Sequence, residues 1–437
     1  MSSRTGRRSL ARGAGLVAVG MTAMNVAAYA FTLVAARRLG PTEYSAVAAL
    51  MGVVLVANVI ALGVQATTAR RVAVAGPDRD PGPLVAAGRR AAVVLAAAAL
   101  ALSPLAAAVF RLDSWMTAAP VAVTAGALTV TGVRLGLAQG RRQWGRFAAL
   151  SVASGAGRVV VGGAALWVWP SAFGAMAGVA LGALVPVAVG AVLVADPPGA
   201  SPRGASALGV VREVLHDSHL LLAFFALTQV DVFVARATLP TAEAGLYASG
   251  LILAKAVLFL PTFVTVLAYP VLARRSHHRH VHHRGLLIIL GIGLVAVCGV
   301  FVLPDLGLAF VGGPAYADVR GQLWVFASLG TATAMVQLLV QTAVARQHRT
   351  AVAWVWGALV AVLAGVPFVE DGRGLLLLVL AVDVALLTVL LVVTWSDDPA
   401  VPLEEDDAVA EALSTAEGDD GAWVSARRRA RSGRRRR

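Results

Sequence analysis

Charged side chains are scarce in this chain: Asp, Glu, Lys and Arg make up 14% of its 437 residues, against about 25% in soluble domains. That shortage excludes an ordinary water-soluble globular protein. Lysine is all but missing, Lys255 being the single one, so arginine carries the basic charge. One cysteine, Cys298, excludes an intrachain disulfide and leaves the redox compartment open. Its place in an apolar run reads as packing. There is no Walker A loop, no HExxH pair and no glycine-rich dinucleotide fingerprint. ATP hydrolysis, zinc peptidase chemistry and nucleotide redox chemistry by this chain alone are thereby excluded. No large loop carries the paired acids that a membrane glycosyltransferase or polymerase needs. The apolar–polar alternation of a membrane β-barrel is absent as well.

What is present is apolar. Hydrophobic residues make up 58% of the chain, mean hydropathy is +0.77, and apolar runs long enough to span recur from end to end. Such a run, about 20 residues, crosses a ~30 Å hydrocarbon layer. Lipid offers the backbone no partners, so each run must be helical. The predicted fold class is therefore an all-α polytopic membrane protein with about twelve spans, at roughly 14–36, 44–68, 88–110, 117–138, 147–169, 172–195, 216–237, 244–270, 285–304, 319–343, 351–369 and 374–395. With the N-terminus in the cytoplasm, 21 arginines fall in cytoplasmic segments and eight more in the C-terminal tail, against six in outer segments. That skew satisfies the positive-inside rule, and the reverse orientation breaks it in nearly every loop. Ala28-Tyr29-Ala30 weakly matches a signal-peptidase site, but the apolar run continues to Ala36 and eleven more follow, which favours an uncleaved first helix.

The expected organisation is a cytoplasmic N-terminus (1–13), a six-helix lobe (14–195), a Pro/Gly/Ser-rich linker (196–215), a second six-helix lobe (216–395) and a cytoplasmic tail (396–437). The lobes resemble each other: Val34-Ala35-Ala36-Arg37-Arg38-Leu39-Gly40-Pro41-Thr42-Glu43 matches Val234-Ala235-Arg236-Ala237-Thr238-Leu239-Pro240-Thr241-Ala242-Glu243. Each second helix ends in an Arg pair, Arg70-Arg71 and Arg274-Arg275. Six helices per lobe preserves orientation, so the repeats are parallel, an arrangement transporters use with the substrate between the halves. The tail runs from an acidic block (Glu404 to Asp407) to arginine clusters ending at Arg437. Its composition predicts disorder, with contact to anionic lipid headgroups as the sharper reading.

Four ionisable residues stand out inside predicted spans: Arg158, Lys255, Asp231 and Asp383. A charge at mid-bilayer costs at least ~2.5 kcal/mol and usually faces a cavity or a partner. Arg158 and Lys255 lie about halfway along their helices, too deep for snorkelling. Polar residues line up at helical spacing: Thr22, Asn25, Tyr29 and Thr32; Asn58 and Gln65; Thr124, Thr131 and Arg134; Ser151, Ser154 and Arg158; Thr333, Gln337 and Gln341. With Gln229 they predict a hydrated interior, although such residues also join helices. The central cations suit an anionic group such as pyrophosphate. Asp231 pairs with Lys255 or Arg158, or takes a coupling proton. The histidine-rich stretch 277–283 has imidazoles that suit a transition metal, but it has no acidic or cysteine ligand nearby and reads as a solvated basic loop, with no metal assigned. Pro261 is expected to kink helix 8.

The segment Gln229-Val230-Asp231-Val232-Phe233-Val234-Ala235-Arg236, then Glu243-Ala244-Gly245-Leu246-Tyr247-Ala248, Lys255 and Leu258-Phe259-Leu260-Pro261, resembles oligosaccharide flippases of the MOP exporter superfamily. Arg38-Leu39-Gly40-Pro41-Thr42-Glu43-Tyr44 resembles the loop after their first helix. The resemblance implies a MATE-like pair of lobes forming a V around a central cavity, and alternating access in the bacterial cytoplasmic membrane. It implies a polyprenyl-diphosphate-linked saccharide cargo flipped to the outer leaflet, with Lys255 in the position of a pyrophosphate-binding cation. Arg158 is assigned to the same role by depth and face, and Arg134 by its stripe. Lipid II flippases have more helices, which favours an exopolysaccharide or cell-wall glycan unit. Expected partners are the lipid-linked cargo, anionic lipids and a glycan polymerase or glycosyltransferases. No nucleic acid and no cofactor are implied, the coupling ion (H+ or Na+) is open, and a monomer is expected. Two other readings stand beside it: a multidrug or metabolite antiporter on the same fold, in which central carboxylates outweigh the cations, and a non-transporting scaffold for glycan synthesis.

Overall fold

A computed structural model describes residues 2–75, 82–194, 207–272, 278–345 and 349–396, with side chains described over somewhat fewer. The helices are α1 (Ser2–Ala75), α2 (Gly82–Ala101), α3 (Ser103–Val109), α4 (Pro120–Gly140), α5 (Trp144–Val168), α6 (Ala172–Leu193), α7 (Ala207–Thr238), α8 (Thr241–Leu272), α9 (His278–Val302), α10 (Pro304–Val311), α11 (Leu323–Ala345), α12 (Arg349–Gly365) and α13 (Gly372–Ser396). Three 3-10 turns, Trp115–Thr117, Pro314–Gln322 and Val366–Phe368, complete the described secondary structure. Met1–Leu390 forms one compact unit and Leu391–Arg437 a second, of which only the end of α13 is described.

Eleven stretches among the described residues are long and apolar enough to cross a membrane, and the first, Gly15–Val74, is 60 residues long. At 1.5 Å per residue it has about three times the length one crossing needs. The helix breaks at Gly40 (φ 69°, ψ 176°), a left-handed backbone that glycine enters freely, immediately before Pro41. Its first limb runs parallel to α5, with Gly20 beside Ala148 and Phe31 beside Gly162. Its second limb runs parallel to α4, with Ala61 beside Gly132 and Ala69 beside Gly140. Because α4 and α5 are joined by a tight turn at 141–143, the two limbs run in opposite directions, and the eleven stretches among the described residues hold twelve segments long enough to cross. The predicted spans 14–36 and 44–68 are these two limbs.

Other boundaries differ from the sequence expectation. Residues 207–215, assigned to the linker, are the start of α7. The third span is broken after Ala101, and Pro104 opens α3. The connection between α9 and α11 holds α10, opened by Pro304, and the turn Pro314–Gln322. Proline lacks an N–H and favours the first turn of a helix, so each marks a new start within apolar sequence. The linker core 195–206, the kink expected at Pro261, the histidine-rich stretch and the tail fall at residues or side chains outside the described set.

The two halves repeat element by element. Glu43 accepts a hydrogen bond from the Ala172 N–H at the start of α6, and Glu243 accepts one from the Gly372 N–H at the start of α13, both at 2.7 Å. Each residue of the second pair lies 200 positions after its counterpart. The N-caps repeat at the same interval: Ser171 accepts from Gly174 N–H and Asp371 from Gly374 N–H. Helices pack closely where side chains are small, since lipid supplies no hydrophobic drive between helices and van der Waals contact must do it. Gly132, Gly136 and Gly140 form one row on α4, and a Cβ at each would come within 2.6, 2.5 and 2.8 Å of the Ala61, Gln65 and Ala69 carbonyl oxygens.

Candidate functional site

A small pocket lies inside the second half, lined by residues of α7, α8, α11 and α13. Its ionisable lining is Asp231, Lys255 and Asp383. Both carboxylates are 4% exposed. Asp231 accepts from the Val232 N–H at 2.7 Å and from the Tyr247 hydroxyl at 3.3 Å. Lys255 donates to the Gln229 side-chain carbonyl at 3.2 Å. The Thr333 hydroxyl lies 2.6 Å from an Asp383 carboxyl oxygen and 2.9 Å from the Leu329 carbonyl. Lys255 acts on Asp231 across the cavity, and the charge of Asp231 reaches Asp383. No ion pair joins Asp231 to Lys255 or to Arg158 among the described residues. The structure thus brings together Gln229, Asp231 and Lys255, sets beside them Thr333 and Asp383, which the sequence had marked as polar residues within spans, and adds the Tyr247 hydroxyl.

Arg158 lies elsewhere. It is half-buried on α5, on the face between Gly155, which packs on α1, and Gly157, which packs on α6. It has no hydrogen-bond or ion-pair partner among the described residues. Ser154, one turn before it, bonds the Leu150 carbonyl of its own helix. Arg134 is 8% exposed and donates to the Val187 carbonyl of α6, with its side chain against Gly190. Gln65 is bound to Gln139 of α4 at 3.1 Å, and Asn58 is half-buried on the same limb. Asn25 and Tyr29 lie on the α1 face opposite the one that packs on α5, and the Tyr29 hydroxyl donates to the Phe310 carbonyl of the second half at 3.3 Å. Gln337 is half-buried and Gln341 exposed, one and two turns beyond Thr333 on α11.

The hydrogen bonds that join the halves gather at the end where α1 bends and α7 meets α8. Arg37 donates to the Ala309 carbonyl at 2.7 Å, and the Tyr316 hydroxyl to the Ala36 carbonyl at 2.8 Å. Arg111 donates to the Arg236 and Leu239 carbonyls. Arg236 donates to the Arg111 carbonyl at 3.1 Å and to the Ser45 hydroxyl at 2.9 Å. Arg236 is 5% exposed, and its Nε has no partner among the described residues. Gly245 lies so close to the Pro41 carbonyl that no Cβ fits between them. This end is closed. Arg37, Arg111 and Arg236 are three of the six arginines counted in outer segments. The shared Val-Ala-x-x-x-Leu pattern of 34–39 and 234–239 marks where they meet.

No protein-family model matches the sequence, and no curated protein matches it. Solved structures do. An inward-facing multidrug resistance MATE family transporter of the MOP superfamily matches with a TM-score of 0.66 at 12% identity, over 84% of this chain and 92% of that one. The chain has the MATE fold. An outward-facing multidrug resistance MATE family transporter shares that fold with a TM-score of 0.57 at 13% identity, over 87% and 93%. So does a MOP superfamily transporter from Pyrococcus furiosus whose binding pocket is described as reversed in polarity, with a TM-score of 0.53 at 14% identity, over 87% and 93%. All three of these solved proteins are transporters, and the expected layout of about twelve helices is met. The described spans make this a multi-pass membrane protein.

Proposed function

We propose that the chain is a cation-coupled secondary transporter of the bacterial cytoplasmic membrane, with cytoplasmic termini, working by alternating access. Asp231, Lys255 and Asp383 form its coupling group. The observation that carries this reading is the enclosure of two carboxylates and one amine in the second-half cavity, alongside an end held shut by bonds between the halves. Charges buried at membrane depth are retained where they bind or exchange ions. The higher TM-score against an inward-facing than an outward-facing MATE transporter supports taking the closed end as the outer one. A small amphipathic solute of the multidrug type suits this cavity, because its carboxylates outnumber its amine and Arg134 is engaged by the Val187 carbonyl.

A lipid-linked saccharide is the second reading. It is favoured by Arg158, a half-buried cation without a partner among the described residues and available to a pyrophosphate. On that reading a glycan polymerase or glycosyltransferase would hand over the cargo. Proteoliposomes loaded with either ethidium or a fluorescent polyprenyl-diphosphate oligosaccharide separate the two. Ethidium export lost in Asp231→Asn and Asp383→Asn, and kept in Arg158→Ala, supports the antiporter. Oligosaccharide transfer lost in Arg158→Ala and Lys255→Ala supports the flippase. A folded protein that moves neither under an imposed ion gradient points to the scaffold reading.

A further inference from the structure

We infer that the ion exchanged in the second-half cavity is a proton held by Asp383, and that Lys255 supplies the positive charge that a metal cation would otherwise bring to Asp231. The inference rests on the coupling-group reading above. Two carboxylates and one ammonium leave one negative charge over. Unpaired charge is costly in a cavity whose remaining walls include Leu227, Leu251, Leu258 and Val379. One further positive charge neutralises the group, and the hydrogen bonds indicate which ion brings it.

Among the described residues the hydrogen bonds to Asp231 come from the Val232 N–H and the Tyr247 hydroxyl, with the Lys255 ammonium across the cavity. That environment suits an ionised carboxylate. Asp383 has a different partner. Thr333 has one hydroxyl hydrogen and two oxygens near it, Leu329 O at 2.9 Å and Asp383 Oδ2 at 2.6 Å. Each contact has a hydrogen of its own, rather than a share of one, when Asp383 carries a proton and donates it to Thr333 while Thr333 donates to Leu329. The 2.6 Å separation falls within the O–H···O range.

A metal ion finds poor terms here. Hard cations take several oxygen ligands, and no cluster of three acidic, histidine or cysteine side chains exists among the described residues. The Gln229 side-chain oxygen, a neutral ligand, is already taken by Lys255. The ammonium would also repel a bound cation. The titratable groups facing Asp383 are Asp231 from α7 and Tyr247 and Lys255 from α8, while α11 contributes only Thr333. From Thr333 the polar stripe of α11 continues through half-buried Gln337 to exposed Gln341, a route for protons that avoids the closed end. Among the described residues the first half shows no counterpart of this group. Its residues 200 positions earlier are Phe31, Leu55 and Ala183, and Phe31 is 1% exposed. One chain therefore exchanges one proton per cycle.

Thermal unfolding of the purified full chain in equal concentrations of sodium, potassium and choline chloride tests the inference. The wild type is expected to melt at one temperature in all three. Lys255→Met is expected to melt about 2 °C or more higher in sodium or potassium than in choline, because the vacated carboxylate binds the ion. Lys255→Gln repeats the comparison should the methionine variant fold poorly. In proteoliposomes holding ethidium, a pH gradient is expected to drive export and a sodium gradient at fixed pH is not, with Asp383→Asn losing the pH-driven export. A sodium- or potassium-specific rise in the wild-type melting temperature, or sodium-driven export, overturns the inference and leaves the transporter reading standing. Two lysine variants that melt alike in every salt overturn the role of Lys255. Export under neither gradient removes the reading beneath, and the melting comparison then decides by itself whether the cavity takes a metal cation.

Discussion

Arg111 and Arg236 hold each other's main chain across the two halves: Arg111 donates to the Arg236 carbonyl at 3.2 Å and Arg236 to the Arg111 carbonyl at 3.1 Å. Two like charges stay adjacent because each guanidinium spends its hydrogens on carbonyl dipoles. Hydrogen bonds from charged donors contribute about 1.5–3 kcal/mol each. Arg236→Ala removes the bonds to Arg111 and Ser45 and is expected to shift the chain toward opening at this end by about tenfold or more. Hydrogen exchange of segments 36–45 and 236–245 reports the change, and exchange no faster than wild type counts against the clasp.

Gly245→Val places a side chain where the Pro41 carbonyl stands. Overpacking of this kind costs about 1–3 kcal/mol, and here the strain is relieved by parting the halves. Closure at this end is expected to be lost while each half stays folded. Cysteines at 37 and 309, positions that meet at this end, are expected to be joined by a bismaleimide less readily in that variant than in one carrying Gly163→Val, where a Cβ meets nothing within 4 Å.

The glycine row on α4 is expected to be intolerant. Gly136→Leu drives a side chain into the Gln65 carbonyl and Thr68, and a melting temperature lower by several degrees is expected. Gly163→Ala, in open space on α5, is expected to be neutral or stabilising by about 0.5–1 kcal/mol, since alanine is the better helix former.

Glu43 and Glu243 make equivalent bonds to the starts of α6 and α13. Each carboxylate satisfies a free N–H and meets the positive end of a helix. Glu43→Ala and Glu243→Ala are each expected to cost about 1 kcal/mol. Melting curves of the two variants should nearly coincide, and a large difference between them would show that the two halves carry unequal loads.

The helices were legible in the sequence because each spanning run must satisfy its own backbone, and the duplication was legible at Glu43 and Glu243 because both close the same contact. The site was legible in part. Asp231, Lys255 and Gln229, all named from the sequence, lie close to one another. Hydropathy flagged Asp383 as a buried charge but could not place it beside Thr333, since the two are 50 residues apart and meet only through packing of α11 on α13. Periodicity grouped Arg134 and Arg158 with the same interior. It gives the direction of a side chain about its own axis, not the neighbour it meets, and Arg134 meets α6. The α10 segment escaped because it is apolar like its neighbours and too short to cross.

Phe31 occupies in the first half the position that Asp231 holds in the second. A half that crosses the membrane six times ends on the side where it began, so two copies of an ancestral half can assemble without either being inverted. In such a symmetrical pair any acid at this position would occur twice, and each turnover would draw on two ions. On the proton coupling inferred above, an aromatic ring in one copy leaves a single ion's electrochemical potential to set how steep a cargo gradient the protein could sustain. That ceiling follows from divergence between the copies, while the architecture they share leaves it open.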